Sequence, residues 1–128
     1  MWWSSNRRGR GTDAERRAAR WLGDQGLTLR KRNYHCRHGE IDLIMDDEDA
    51  LVFIEVRYRS DDRYGGAEAS VTPEKQQRIA SAARHFLGRH PQCGDRPCRF
   101  DVVAVQPDGA REGSYRYHWI RNAFYGDE

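Results

Sequence analysis

Two carboxylates interrupt apolar runs in the stretch GEIDLIMDDEDALVFIEVRYRS, Gly39 to Ser60: Asp42 within IDLIM and Glu55 within VFIEV. Side chains alternate between the faces of a strand, so Leu51, Phe53, Glu55 and Arg57 share one face while Val52, Ile54, Val56 and Tyr58 share the other. With a two- or four-residue loop centred between Glu48 and Asp49, Asp42 falls directly opposite Glu55, and Glu40 opposite Arg57. Opposed residues have Cβ atoms roughly 4.5–5.5 Å apart, where like charges destabilise the ladder. A cation, a shared proton or a basic side chain must offset the repulsion. Hard oxygen donors on one face suit magnesium, which is held by one or two carboxylates, waters and substrate phosphate. Neutralisation by Arg57 or Lys75, or a register slip that separates the pair, accounts for the same pattern, and spacing alone leaves these open.

Three further residues bear on this chemistry. Lys75 sits in the first turn of a predicted helix, where the dipole disfavours a cation, and shares a stripe with Ile79 and Phe86 that faces the sheet. An ammonium directed toward Asp42, Glu55 and a phosphate explains both features; a lysine that snorkels from the core margin is the alternative. Gln76 flanks the same stripe. Glu15 stands at capping-box spacing from Thr12, which suits it to cap its helix, and it also lies beside the apolar stripe, within reach of the sheet. Capping and metal or water binding are compatible roles.

The elements that must position these groups follow from the pattern. TDAERRAARWLGDQG reads as a helix over residues 13–25 that stops at Gly26. A strand follows over 27–36, then the hairpin, then the loop SDDRYGGAEAS. VTPEKQQRIASAARHFLGRH predicts a helix over 73–88, with Thr72 as N-cap and Pro73 at the first helical position. RFDVVAV is a buried strand by its β-branched run, SYRYHWI is an aromatic, partly exposed one, and RNAFYGDE is expected to add a final helical turn.

At 128 residues and 38% hydrophobic content the chain suits one compact domain, expected over 12–128 behind a flexible basic arm of residues 1–11. No apolar stretch approaches a membrane span, and MWWSSNRRGRG lacks the apolar core of a signal peptide, so no membrane role and a cytoplasmic location are expected. Three cysteines, Cys36, Cys93 and Cys98, without a repeating framework argue for reduced thiols. Net charge is only +2, but the basic residues cluster: Arg7, Arg8 and Arg10; Arg30, Lys31 and Arg32; Arg57, Arg59 and Arg63. Such clusters suit a phosphate backbone, and a solvated charged face accounts for any single one.

Taken together, TDAERRAARWL, RNYHCRHGEIDLI, LVFIEVRYRS, VTPEKQQRI and RFDVVAV resemble the YraN-like family of small bacterial proteins. That family is in turn similar to the PD-(D/E)xK nuclease superfamily, and to archaeal Holliday-junction resolvases in particular. The resemblance spans about residues 12–124. It implies an α/β, restriction-endonuclease-like fold with a central mixed β-sheet flanked by α-helices. By the same resemblance the superfamily's helix glutamate matches Glu15, its strand aspartate Asp42, and its E-x-K motif Glu55, Val56 and Arg57. The last position departs from the pattern: arginine keeps the positive charge but cannot release a proton to act as a base.

The expected function is a magnesium- or manganese-dependent endonuclease that hydrolyses DNA phosphodiester bonds, in branched or structured DNA. Asp42, Glu55 and the Val56 carbonyl would hold the metal and Glu15 would reach it through water. Arg57 and Lys75 would steady the scissile phosphate, and Arg7, Arg8, Arg10, Arg59 and Gln76 would join them in contacting nucleic acid. Two other classes stay open: a nucleic-acid-binding module that kept the scaffold and lost the chemistry, with Glu40 as the ion-pair partner of Arg57, and a protein-interaction adaptor. A second copy of the chain, in a homodimer, is a further candidate partner.

Overall fold

The computed structural model describes residues 12–59 and 71–125. The expected basic arm with Arg7, Arg8 and Arg10, and the loop that carries Arg63, lie outside the described residues, as does the Thr12 side chain invoked for the capping box. A five-stranded sheet runs in chain order, β1 (Thr28–Cys36), β2 (Gly39–Asp47), β3 (Ala50–Tyr58), β4 (Cys98–Pro107) and β5 (Tyr115–Phe124). All neighbours pair antiparallel except β3 and β4, which are parallel. Parallel neighbours need a long crossover. The chain supplies it with helix α2 (Pro73–Arg89); helix α1 (Thr12–Asp24) precedes β1. This is the expected α/β architecture, a mixed sheet between two helices.

The two helices cover opposite faces. Ala14, Ala18 and Leu22 of α1 pack with Leu43, Met45, Val52, Ile54, Val56, Val103 and Val105. Ile79, Ala82, Ala83 and Phe86 of α2 pack with Ile44, Leu51, Phe53, Val102 and Ala104. Burial from both sides explains the unbroken apolar run in β3, where every residue from Leu51 to Val56 is buried. The aromatic strand β5 sits half-exposed because α1 reaches only part of it, with the rings of Trp21 and Tyr117 stacked at 5.1 Å.

Local chemistry sets the boundaries as the sequence requires. Thr72 caps α2 by accepting from the Lys75 N–H at 3.2 Å, and Pro73 begins the helix. Gly26 turns the chain out of α1 with φ +107°, a conformation that a side chain disfavours. The acidic β2–β3 turn is tied by Arg96, whose guanidinium donates to the carbonyls of Asp49 and Ala50 and pairs with Asp46. Burial alone would raise the Asp46 carboxyl, but hydrogen bonds from Arg96 and Arg30 outweigh it and hold the group below its ordinary range.

The last described residues depart from expectation, while Gly126, Asp127 and Glu128 of the expected turn lie outside the described residues. Arg121–Phe124 continue β5 rather than turning into a helix. Phe124 stacks on Phe100 at 5.1 Å and is buried, and the register slips between Phe100 and Val102, which Asn122 accommodates with φ +52°. A helical turn here would have pulled Phe124 out of the core.

Candidate functional site

The hairpin register is the predicted one. Asp47 pairs with Ala50 and Leu43 with Ile54, so one step beyond the last paired residues Asp42 stands opposite Glu55. The ladder ends there for a visible reason. Asp42 Oδ2 accepts from the Val56 N–H at 2.8 Å, so a side chain takes a backbone donor of the neighbouring strand. Ile41 and Leu43, two residues apart, go to opposite core clusters, which marks a break in the alternation at Asp42. Asp42 and Glu55 are only 3% and 2% exposed. Two ionised carboxylates at such burial require counter-charge.

Basic side chains supply it. Glu55 Oε2 lies 3.0 Å from Arg57 Nη1 on the same face of β3 and 3.2 Å from Lys75 Nζ, which reaches it from α2. Lys75 therefore points at the sheet as its stripe predicts, and both cations converge on one oxygen. Gln76, the next residue, uses its amide to donate to the Val71 carbonyl at 3.0 Å and so secures the approach to the helix.

Glu15 is buried at 5% exposure on α1, the helix on the face opposite to α2. Among the described residues no three or more His, Cys, Asp or Glu side chains gather into a metal-holding cluster. Asp42 and Glu55 are thus brought together with Lys75 and Arg57, and Glu15 does not complete a three-carboxylate cage with them. Glu40 meets His35 across the β1–β2 pair, Nδ1 to Oε1 at 3.2 Å, while Arg57 pairs with Glu55 on its own strand. Arg59 closes the end of β3, its N–H donating to Val105 at 2.9 Å.

Two features escaped the sequence reading. Gly39 opens β2 hard against the main chain of α2: a Cβ there would lie 2.6 Å from the Arg78 carbonyl oxygen. Its place just before Glu40 in HGEIDL was the only signal. Asp101 is fully buried and gathers donors from Arg99, Trp119 Nε1 and the Asn122 N–H. A lone aspartate in RFDVVAV reads as an ordinary strand residue until those partners are in place.

Against this geometry, comparison with known proteins is informative. The model of the uncharacterised protein family UPF0102 matches residues 14–105, the span that contains both carboxylates and both cations. The chain belongs to the UPF0102 family. UPF0102 proteins of Alcanivorax borkumensis and Nitrosomonas europaea are 56% and 55% identical, over 91% and 90% of this chain and 92% of each relative. The UPF0102 protein of Nitrosococcus oceani is 50% identical over 91% of this chain and 92% of its own length. This is the YraN-like family that the motifs resemble. Among the described residues, no helix of this UPF0102 protein is long and apolar enough to cross a membrane.

Proposed function

We propose that this UPF0102 protein is a magnesium- or manganese-dependent endonuclease acting on DNA phosphodiester bonds. The observation that carries the proposal is the convergence of the Lys75 ammonium on Glu55, beside a buried Asp42, at a point where two strands stop pairing. The donor set fits a hard divalent ion: two carboxylates and the Val56 carbonyl are all oxygen, and a carboxylate that accepts one or two bonds retains lone pairs for more. Glu15 would contribute through water. A bound ion would supply Lewis-acid polarisation of the scissile phosphoryl oxygen. The chain's own groups do the rest. Lys75 donates to the oxygen on which charge develops, and the Arg57 guanidinium forks onto phosphate and holds its orientation. Arg57 stays protonated throughout, so no proton is taken at that position.

The second reading, a DNA-binding module without chemistry, is favoured by one observation: Glu55 Oε2 already has two cationic partners, Arg57 and Lys75, which offset its charge from within the chain.

The deciding assay incubates purified protein with linear, flapped and four-way DNA and manganese, with chelator as control. Cleavage that depends on manganese supports the nuclease. If wild type and Arg57→Lys are both inert while wild type binds DNA, the binding module stands instead. Lys75→Met is expected to keep the fold and most DNA affinity but to slow cleavage by ~10²-fold, the scale of losing one electrostatic stabiliser. Arg57→Lys should retain activity and partly rescue Lys75→Met; unchanged cleavage in Lys75→Met would remove the lysine from the mechanism. Manganese should also raise the melting temperature over chelator at fixed ionic strength, by mass action on the folded state. Equal melting temperatures would argue against a metal at Asp42 and Glu55.

A further inference from the structure

A groove of about 520 Å³ runs between the turn that joins β1 to β2 and the first turns of α2. Arg37, His38 and Glu40 stand on the turn side, and Lys75 and Arg78 on the helix side. Three residues of helix rise only about 4.5 Å, so Lys75 and Arg78 lie on one face, one above the other. Because Lys75 also touches Glu55, the groove is continuous with the carboxylate centre.

The arginines of the described residues are engaged to different degrees. Arg17, Arg30, Arg96 and Arg99 are matched to carboxylates. Arg37 and Arg78 are exposed, and among the described residues their guanidinium groups have neither an ion-pair nor a hydrogen-bond partner. Three cations thus line a concave wall against a single carboxylate, Glu40, which is itself engaged with His35. Concave walls of one charge sign focus the field on a counter-ion, and guanidinium groups match phosphate oxygens in paired hydrogen bonds.

We propose that this groove seats a backbone phosphate of the DNA strand that enters the Asp42–Glu55 centre, with Arg37 and Arg78 holding it from opposite walls. The proposal rests on the DNA reading of that centre and adds the path of the strand: from Lys75 along the first turns of α2 toward the tip of the β1–β2 hairpin. A phosphate held there fixes which phosphodiester faces Glu55, so Arg37 and Arg78 are positioning residues rather than participants in bond cleavage.

The test is a salt titration of fluorescent four-way DNA binding in chelator, where no cleavage intrudes. Each phosphate contact contributes a slope of about −0.9 in log affinity against log salt on duplex arms. Because the two arginines share one phosphate, Arg37→Gln with Arg78→Gln should make the slope shallower by about one, whereas Arg111→Gln, in the β4–β5 turn, should leave it unchanged. With manganese, the double variant should raise KM more than it lowers kcat. If wild type binds with a steep slope that the double variant preserves, or if Arg111→Gln lowers it equally, the groove assignment fails while the DNA reading survives. If wild type binds no DNA at low salt, both fail. Should a polyglutamate peptide bind wild type as tightly as DNA and be lost equally in the double variant, the groove reads acidic protein and the proposal is overturned.

Discussion

Glu55→Gln is expected to abolish metal-dependent cleavage while leaving DNA binding intact or stronger. The substitution keeps the shape of a side chain that is 2% exposed and removes one charge. In catalysis it deletes a ligand oxygen's charge where a hard cation must sit. For binding, it removes a negative charge that faces phosphate and frees Arg57 and Lys75, now 3.0 and 3.2 Å from Glu55 Oε2, to meet DNA. The cost falls on the free protein. A glutamine with its carbonyl oxygen in the place of Oε2 can still accept from both cations, but it no longer offsets their charge, a loss on the order of 1–3 kcal/mol for charge-assisted bonds at a buried site. Single-turnover cleavage, DNA affinity and melting temperature, read together, test this. Cleavage within tenfold of wild type would exclude Glu55 as a metal ligand, and unchanged stability would mean that its two ion pairs contribute nothing net.

The largest effect on stability is expected at Asp101, which lies in no proposed binding surface. Its Oδ1 accepts from Arg99 Nε and the Asn122 N–H, both at 3.0 Å, and its Oδ2 from Trp119 Nε1 at 2.9 Å. Asp101→Ala leaves these donors without their acceptor in a site with no solvent access, and leaves Arg99 with Asp47 alone among its carboxylates. Breaking a buried, hydrogen-bonded ion pair from one side costs roughly 3–5 kcal/mol. For a chain of this size that corresponds to a melting temperature lower by roughly 10–20 °C. Asp101→Asn, which keeps acceptor capacity on one oxygen, should fall between the two. A shift under about 3 °C for Asp101→Ala would show that β5 is held by its ladder and aromatic packing instead.

The difference between what was legible in the sequence and what was not lies in how far apart the cooperating residues are. The Asp42–Glu55 opposition was readable because the short acidic turn fixes the hairpin register locally. Lys75 was readable because it breaks two local rules at once, a cation in the first helical turn and a charge on the apolar stripe. The residues that decide each lie within one hairpin or one helix. The partner that Arg57 takes depended on where the strands part, and that is set by the Asp42 side chain capturing the Val56 N–H. Asp101 draws its donors from Arg99, Trp119 and Asn122, and Arg99 in turn reaches Asp47 on β2, so the network existed only once the sheet had assembled. The end of the chain was misread for a related reason. RNAF has no alternation to declare a strand, and its extension goes with contacts made across the sheet, the register slip that brings Phe124 over Phe100 and the Asn122 N–H bonded to Asp101.

The close approach at Gly39 has a meaning for how such a site drifts over evolutionary time. Where the spacing of two elements is set by interlocking side chains, each neutral exchange in the core moves them slightly, and a lysine's long stem must be retuned after every one. Here the stop is main chain against main chain, the carbonyl of Arg78 on a position with no side chain to collide with. Surrounding residues can change volume while the start of α2 keeps its distance from the hairpin, so the Lys75–Glu55 pair is insulated from the turnover around it. A single glycine thereby gives the site mutational robustness, and it concentrates the fragility of the arrangement at that one position.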